Sequence, residues 1–167
     1  MTAKQSAGIL LFREADAARA DAAATDPASA AQVLLGHMGG PFWARKDERA
    51  WSIPKGEYEP DEGPEAAARR EFQEELGLPP PPGGLLPLGS VRQTGGKVVT
   101  VWALAGDLDP RRVTPGTFEM EWPRGSGRLQ AFPEIDRVAW LDLAQARQKV
   151  VAKQEVFLDR LVERLRG

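Results

Sequence analysis

Three glutamates, Glu71, Glu74 and Glu75, stand at i, i+3 and i+4 in the run PEAAARREFQEELGL, with Arg70 directly before them. On a helix of 3.6 residues per turn that spacing gathers the three carboxylates on one face. The cluster is unfavourable for the helix: like charges at i, i+4 cost about 0.2–0.5 kcal/mol, and anions near a C-terminus oppose the dipole. One guanidinium cannot neutralise three carboxylates. A hard divalent cation can, and Mg²⁺ favours a few carboxylates, retained waters and substrate phosphate oxygens. Helix chemistry by itself also admits a solvated acidic face with no ligand.

The elements that must position these groups follow from their neighbours. Pro64 suits the first helical position, Glu62 and Glu65 suit the positive end of the dipole, and Gly77 suits a left-handed cap after Leu76. A helix over Pro64 to Leu76 would press Ala68, Phe72 and Leu76 onto a sheet and leave the small Ala67 among the glutamates, open to a ligand. Upstream, WSIPKG (Trp51 to Gly56) reads as a turn in which Pro54 fixes the backbone and Gly56 supplies a conformation that other residues resist.

Gly56 to Leu78, GEYEPDEGPEAAARREFQEELGL, resembles the signature of the Nudix hydrolases, G-x5-E-x7-R-E-U-x-E-E-x-G-U with U a bulky aliphatic residue. Gly56, Glu62, Arg70, Glu71, Glu74, Glu75, Gly77 and Leu78 all stand where the pattern asks, and Phe72 is aromatic where the family carries an aliphatic residue. The resemblance implies an α/β Nudix fold, a mixed β-sheet sandwiched between helices, and Mg²⁺-dependent hydrolysis of a diphosphate linkage in a nucleoside di- or polyphosphate derivative, with Mn²⁺ as an alternative ion. It implies Glu71, Glu74 and Glu75 as metal ligands and catalytic groups. Arg70 would orient them, and a backbone carbonyl at Lys55 or Gly56 would join the metal shell. Glu62 would pair with Arg70 or hold a further metal. The segment from Trp51 to Glu62 is similar to the version found in enzymes that cleave dinucleoside polyphosphates and in some that act on nucleoside triphosphates or capped RNA. A catalytically silent Nudix-fold nucleotide sensor is the alternative, although such modules usually lose signature glutamates.

Outside the signature, Lys55, Lys46 and Arg45 are candidates for phosphate contact, and Phe42, Trp43 or Trp122 for stacking on a base. Phe118, Met120 and Trp122 alternate with Glu119 and Glu121, so a short strand would place both glutamates on its other face, as extra metal ligands or a base. His37, the single histidine, reads as a loop residue satisfied by backbone.

A chain of 167 residues with no shift of composition reads as one domain over 1–167, with the Ala/Asp-rich run 14–31 as a mobile insertion. The 22 basic and 24 acidic residues are interspersed, giving net charge −2, so a small nucleotide is the expected partner and long nucleic acid is not. The absence of cysteine and of a long apolar run fits a cytoplasmic protein with no membrane segment. Strands are predicted over Ser6–Arg13, Gln32–Gly36 and Asp136–Leu141, with a hairpin of Leu85–Gln93 and Lys97–Gly106 turning at Thr94-Gly95-Gly96 and with Trp102 in the core. Helices are predicted over Leu143–Val151 and Gln154–Leu165. The sequence carries no sign of oligomeric state.

Overall fold

The computed structural model describes residues 4–14 and 30–166. In chain order they form β1 (Gln5–Glu14), β2 (Ala31–Met38), β3 (Trp51–Ser52), β4 (Lys55–Tyr58), α1 (Pro64–Leu76), β5 (Leu86–Arg92), β6 (Val98–Ala105), β7 (Thr117–Glu121), β8 (Leu129–Pro133), β9 (Ile135–Asp142), α2 (Leu143–Lys149) and α3 (Glu155–Arg166), with short 3₁₀ turns between some of them. Seven strands make one mixed sheet, in which β1 runs parallel to β6 and antiparallel to its other partners; β7 and β8 form a separate two-stranded hairpin.

The sheet divides along β1. Its C-terminal part pairs with β2 through Phe12↔Val33 to Glu14↔Ala31, and its N-terminal part pairs with β4 through Gln5↔Tyr58 to Gly8↔Lys55. Helices cover both faces. Alternate residues of β1 point to opposite sides: Ala7, Ile9 and Leu11 join Ala68, Phe72 and Leu76 of α1 in one core, while Leu10 and Phe12 join Phe157, Leu158 and Leu161 of α3 in the other. Each side chain of Leu or Phe size buried this way contributes about 1.5–3 kcal/mol.

Helix α1 starts and stops where proline and glycine predict. Pro64 occupies the first turn, and Gly77 adopts φ 71° and donates its N–H to the Gln73 carbonyl. Ala67 does not face a ligand. It is fully buried in the core, because i−1 and i+1 around the Ala68–Phe72 stripe still lie within the wide apolar arc of a helix packed on a sheet.

Two other expectations need correction. The run 14–31 begins and ends inside paired strands, since Glu14 and Ala31 face each other across β1 and β2, and residues 15–29 lie outside the described residues. Gly56 does not supply a special backbone conformation: it sits in β4 and is not among the glycines with positive φ. The short strand expected around Phe118–Trp122 is present as β7, paired with β8, whose Leu129–Pro133 has no alternation strong enough to be read.

Candidate active site

A cleft of about 570 Å³ opens between β4, the last turns of α1 and the base of the β7–β8 hairpin. Glu71, Glu74 and Glu75 line it, as do Lys55 and Gly56 from β4. Gly56 earns its place by lacking a side chain. A Cβ there would collide with the carboxylate of Glu71, which rests where that side chain would be.

The far wall is wired to the end of α1. The Thr114 N–H donates to the Leu76 carbonyl and the Gly116 N–H to the Glu75 carbonyl, so the segment entering β7 satisfies carbonyls that the helix C-terminus leaves over. The Glu134 N–H donates in turn to the Gly116 carbonyl, and the Glu134 carbonyl accepts from the Gly39 N–H. This places Glu134 on the cleft, near enough to α1 that its charge acts on Glu71 and Glu75. It is a residue that sequence reasoning missed; the one available signal was an acidic residue between Pro133 and the apolar start of β9.

Arg70 collects carboxylates. Its Nε and Nη2 donate to Glu62 at 2.8 and 2.7 Å, and its Nη1 donates to Glu71 at 2.9 Å and Glu74 at 3.0 Å. These contacts, Glu62 first, hold the Arg70 proton more firmly than usual and lower the pKa of Glu62. Glu71 and Glu75 are shifted the other way. Burial raises both, Glu71 despite its bond from Arg70, and Glu75 to about 8 despite Lys55, whose backbone N–H donates to it at 3.2 Å. Burial likewise lowers the pKa of the Lys55 ammonium. Glu134 is raised by desolvation and then by the charge of Glu74, although solvent still reaches it.

Five glutamates and two lysines face this one cleft, so its carboxyl groups outnumber its amines. Among the described residues no three carboxylate or imidazole groups converge as a ready-made metal cage, since Arg70 holds Glu71 and Glu74. The donor set nonetheless fits a hard dication. It consists of carboxylate oxygens, of which those of Glu71 and Glu75 are buried enough to resist ionisation.

The remaining candidates divide. Glu119 and Glu121 are exposed on β7, away from the cleft lining, and Glu121 accepts a hydrogen bond from the Gly125 N–H within the hairpin turn; alternation carried them to the solvated face. Arg45 and Lys46 are not brought to the cleft either: Arg45 is exposed, and the Lys46 ammonium lies 5.1 Å from the ring centre of Trp43. Their loop is drawn instead toward β2, where His37 is a buried strand residue. Its Nε2 lies 2.6 Å from the Lys46 carbonyl and its Nδ1 2.9 Å from Asp136. Trp102 is in the core as expected. Phe42, 52 % exposed, meets Trp122 edge to face at 5.5 Å, while Trp43 packs against the α3-side core.

Comparison with known proteins defines the class. The NUDIX domain model matches residues 16–161, and the chain belongs to the NUDIX domain family. Over 49 residues it is 45 % identical to an RNA pyrophosphohydrolase of Hahella chejuensis and 43 % identical to one of Marinomonas sp.. Those matches span 29 % of this chain and 30 % of each relative. In fold it is similar to a C. elegans Ap4A hydrolase solved as a binary complex (TM-score 0.62, 20 % identity, 97 % of this chain and 98 % of that one). It is also similar to the NUDIX domain of Shewanella oneidensis NrtR solved with ADP ribose (TM-score 0.61, 19 % identity, 99 % and 90 %). The mixed sheet between helices is thus the fold of the family. No helix among the described residues is long and apolar enough to cross a membrane.

Proposed function

We propose that this chain hydrolyses a diphosphate linkage in a nucleoside di- or polyphosphate derivative, with a dinucleoside polyphosphate, a nucleoside triphosphate or a 5′-phosphorylated RNA end as the substrate class. The observation that carries this proposal is the convergence of Glu71, Glu74, Glu75 and Glu134 on one cleft, where burial raises the pKa of Glu71 and Glu75 in spite of Arg70 and Lys55. The names of the relatives, RNA pyrophosphohydrolase and Ap4A hydrolase, support the substrate class.

Glu71, Glu74 and Glu75 would hold Mg²⁺, with a backbone carbonyl at Lys55 or Gly56 beside them. Bound there, such a cation screens the diphosphate charge and lowers the pKa of water. The chain's own groups do the rest. Arg70, anchored on Glu62, fixes where Glu71 and Glu74 point, and Lys55 faces a phosphate oxygen. Glu134 lines the same cleft from outside α1, makes no contact with Arg70, and takes the proton of the attacking water on a carboxylate oxygen. The edge-to-face pair Phe42 and Trp122 offers an exposed aromatic surface for the base.

A panel of nucleotides, dinucleoside polyphosphates and triphosphorylated RNA, assayed for phosphate or pyrophosphate release with Mg²⁺ and with EDTA, tests this directly. Release from at least one substrate that stops in EDTA is the expected outcome. Saturable binding with no release in Mg²⁺ or Mn²⁺ would favour the nucleotide sensor instead.

A further inference from the structure

The cleft has a second wall, chemically unlike the first. Cross-strand partners share a face of a sheet. The pairs Ser6↔Glu57 and Gly8↔Lys55 therefore put Ser6, Glu57 and Lys55 on one side of β4, while Gly56 between them turns to the other side, against Glu71. Lys97 joins the Ser6 side, two residues before Val99, which is the partner of Ser6 on β6. Its ammonium lies 2.9 Å from Glu57 Oε1. A ligand laid across β4 thus meets carboxylates of α1 on one flank and, on the other, two ammonium groups, one of them paired with Glu57.

Ser6 is fully buried and lines this cleft. Among the described residues its Oγ is the buried side-chain polar atom that has no hydrogen-bond partner. An orphaned buried hydroxyl destabilises the fold, and each one in a native structure calls for an explanation. Its surroundings select the ligand. Two ammonium groups against the single carboxylate of Glu57 leave this wall net positive, which repels a metal ion and attracts an anion, and the hydroxyl supplies a donor without adding charge.

We propose that Ser6 Oγ donates a hydrogen bond to a non-bridging oxygen of the substrate's diphosphate, in a phosphate subsite completed by the ammonium groups of Lys55 and Lys97. This rests on the hydrolase function proposed above. Ser6 is a binding residue and the folded protein alone leaves it unsatisfied. Removing the hydroxyl therefore relieves the free protein while weakening the complex, two effects of opposite sign.

The test uses the full chain in Mg²⁺ and two non-hydrolysable probes, methylenediphosphonate and α,β-methylene adenosine diphosphate, titrated calorimetrically into wild type, Ser6→Ala and Ser6→Cys. Ser6→Ala should bind both probes about ten-fold more weakly, or ~1.4 kcal/mol, with Ser6→Cys, a weaker donor, between it and wild type. The melting temperature of probe-free Ser6→Ala should equal or exceed that of wild type. Equal affinity of Ser6→Ala for both probes would overturn the proposal, as would failure of wild type to bind either. A loss confined to the nucleoside probe would place the hydroxyl on the sugar and overturn the phosphate contact. A markedly lower melting temperature would show that the hydroxyl is satisfied within the fold, and would overturn it too. The nucleotide panel reads turnover separately, so loss of this subsite leaves the hydrolase function standing.

Discussion

Helices α1 and α3 lie on opposite faces of one sheet and are nearly equal in length, at 13 and 12 residues, yet they treat charge in opposite ways. In α3, Glu155 opens the first turn and Arg164 and Arg166 close the last, which is the arrangement the helix dipole favours. Its cations also bind the sheet edge: Arg160 Nη1 donates to the Leu88 carbonyl at 2.9 Å and Arg164 Nε to the Pro87 carbonyl at 3.1 Å. Helix α1 has no basic residue in its last turn and carries Glu74 and Glu75 there, with Glu71 buried one turn earlier. One helix sets an acid at its start and two bases at its end, as the dipole favours. The other breaks the electrostatic rules while keeping the packing ones, and a chain consistent at other levels tends to concentrate such breaks where it functions.

The largest effect that would separate the two helices is on catalysis. Glu75→Gln keeps the size of the side chain and removes its charge. Turnover of the best substrate should fall by on the order of 10²–10⁴ with the fold intact by circular dichroism. Phe157→Ala in α3 should do the reverse, costing about 3–5 kcal/mol of stability in denaturant titration while turnover per folded molecule is kept. Equal loss of turnover in both variants would erase the contrast. Smaller effects sharpen the account of the extra carboxylate: Glu134→Gln should lower kcat by about 10²-fold or more. Glu119→Gln and Glu121→Gln, on the exposed face of β7, should change stability by no more than about 0.5 kcal/mol and leave kcat as it is. A large loss in Glu119→Gln with none in Glu134→Gln would reverse that assignment.

Much of α1 was legible because its signals are local. Pro64, Gly77, the Ala68–Phe72–Leu76 stripe and the glutamate spacing all lie within a few residues of one another. The helix expected over Gln154–Leu165 was legible for the same reason, and Phe157, Leu158, Leu161 and Val162 are its buried residues. The rest of the cleft was not, because strand register decides it. Ser6 and Glu57 face each other across 51 residues of sequence, and Glu134 reaches the cleft through backbone bonds to Gly116 and Gly39. Glu119 and Glu121 show the converse: alternation correctly placed them on the face opposite Phe118 and Met120, but could not say that this face looks to solvent. His37 looked like a loop residue because its glycine-rich neighbours hide the end of β2. Gly56 was correctly singled out and wrongly explained. What it provides is room for the Glu71 carboxylate, which no local pattern encodes.

The carboxylates at the end of α1 are expected to be held at a cost that a divalent cation relieves, and thermal melting against pH should register that cost. Glu75 is raised from 4.5 to about 8, so between those values the folded protein binds more protons than the unfolded chain, and stability falls as pH rises through that window. In EDTA the melting temperature of wild type should therefore drop from pH 6 to pH 8 more steeply than that of Glu75→Gln. Mg²⁺ should recover it at pH 8 far more than at pH 6, in wild type and not in the variant. Identical slopes for the two proteins in EDTA, with no Mg²⁺ effect at pH 8, would contradict the claim.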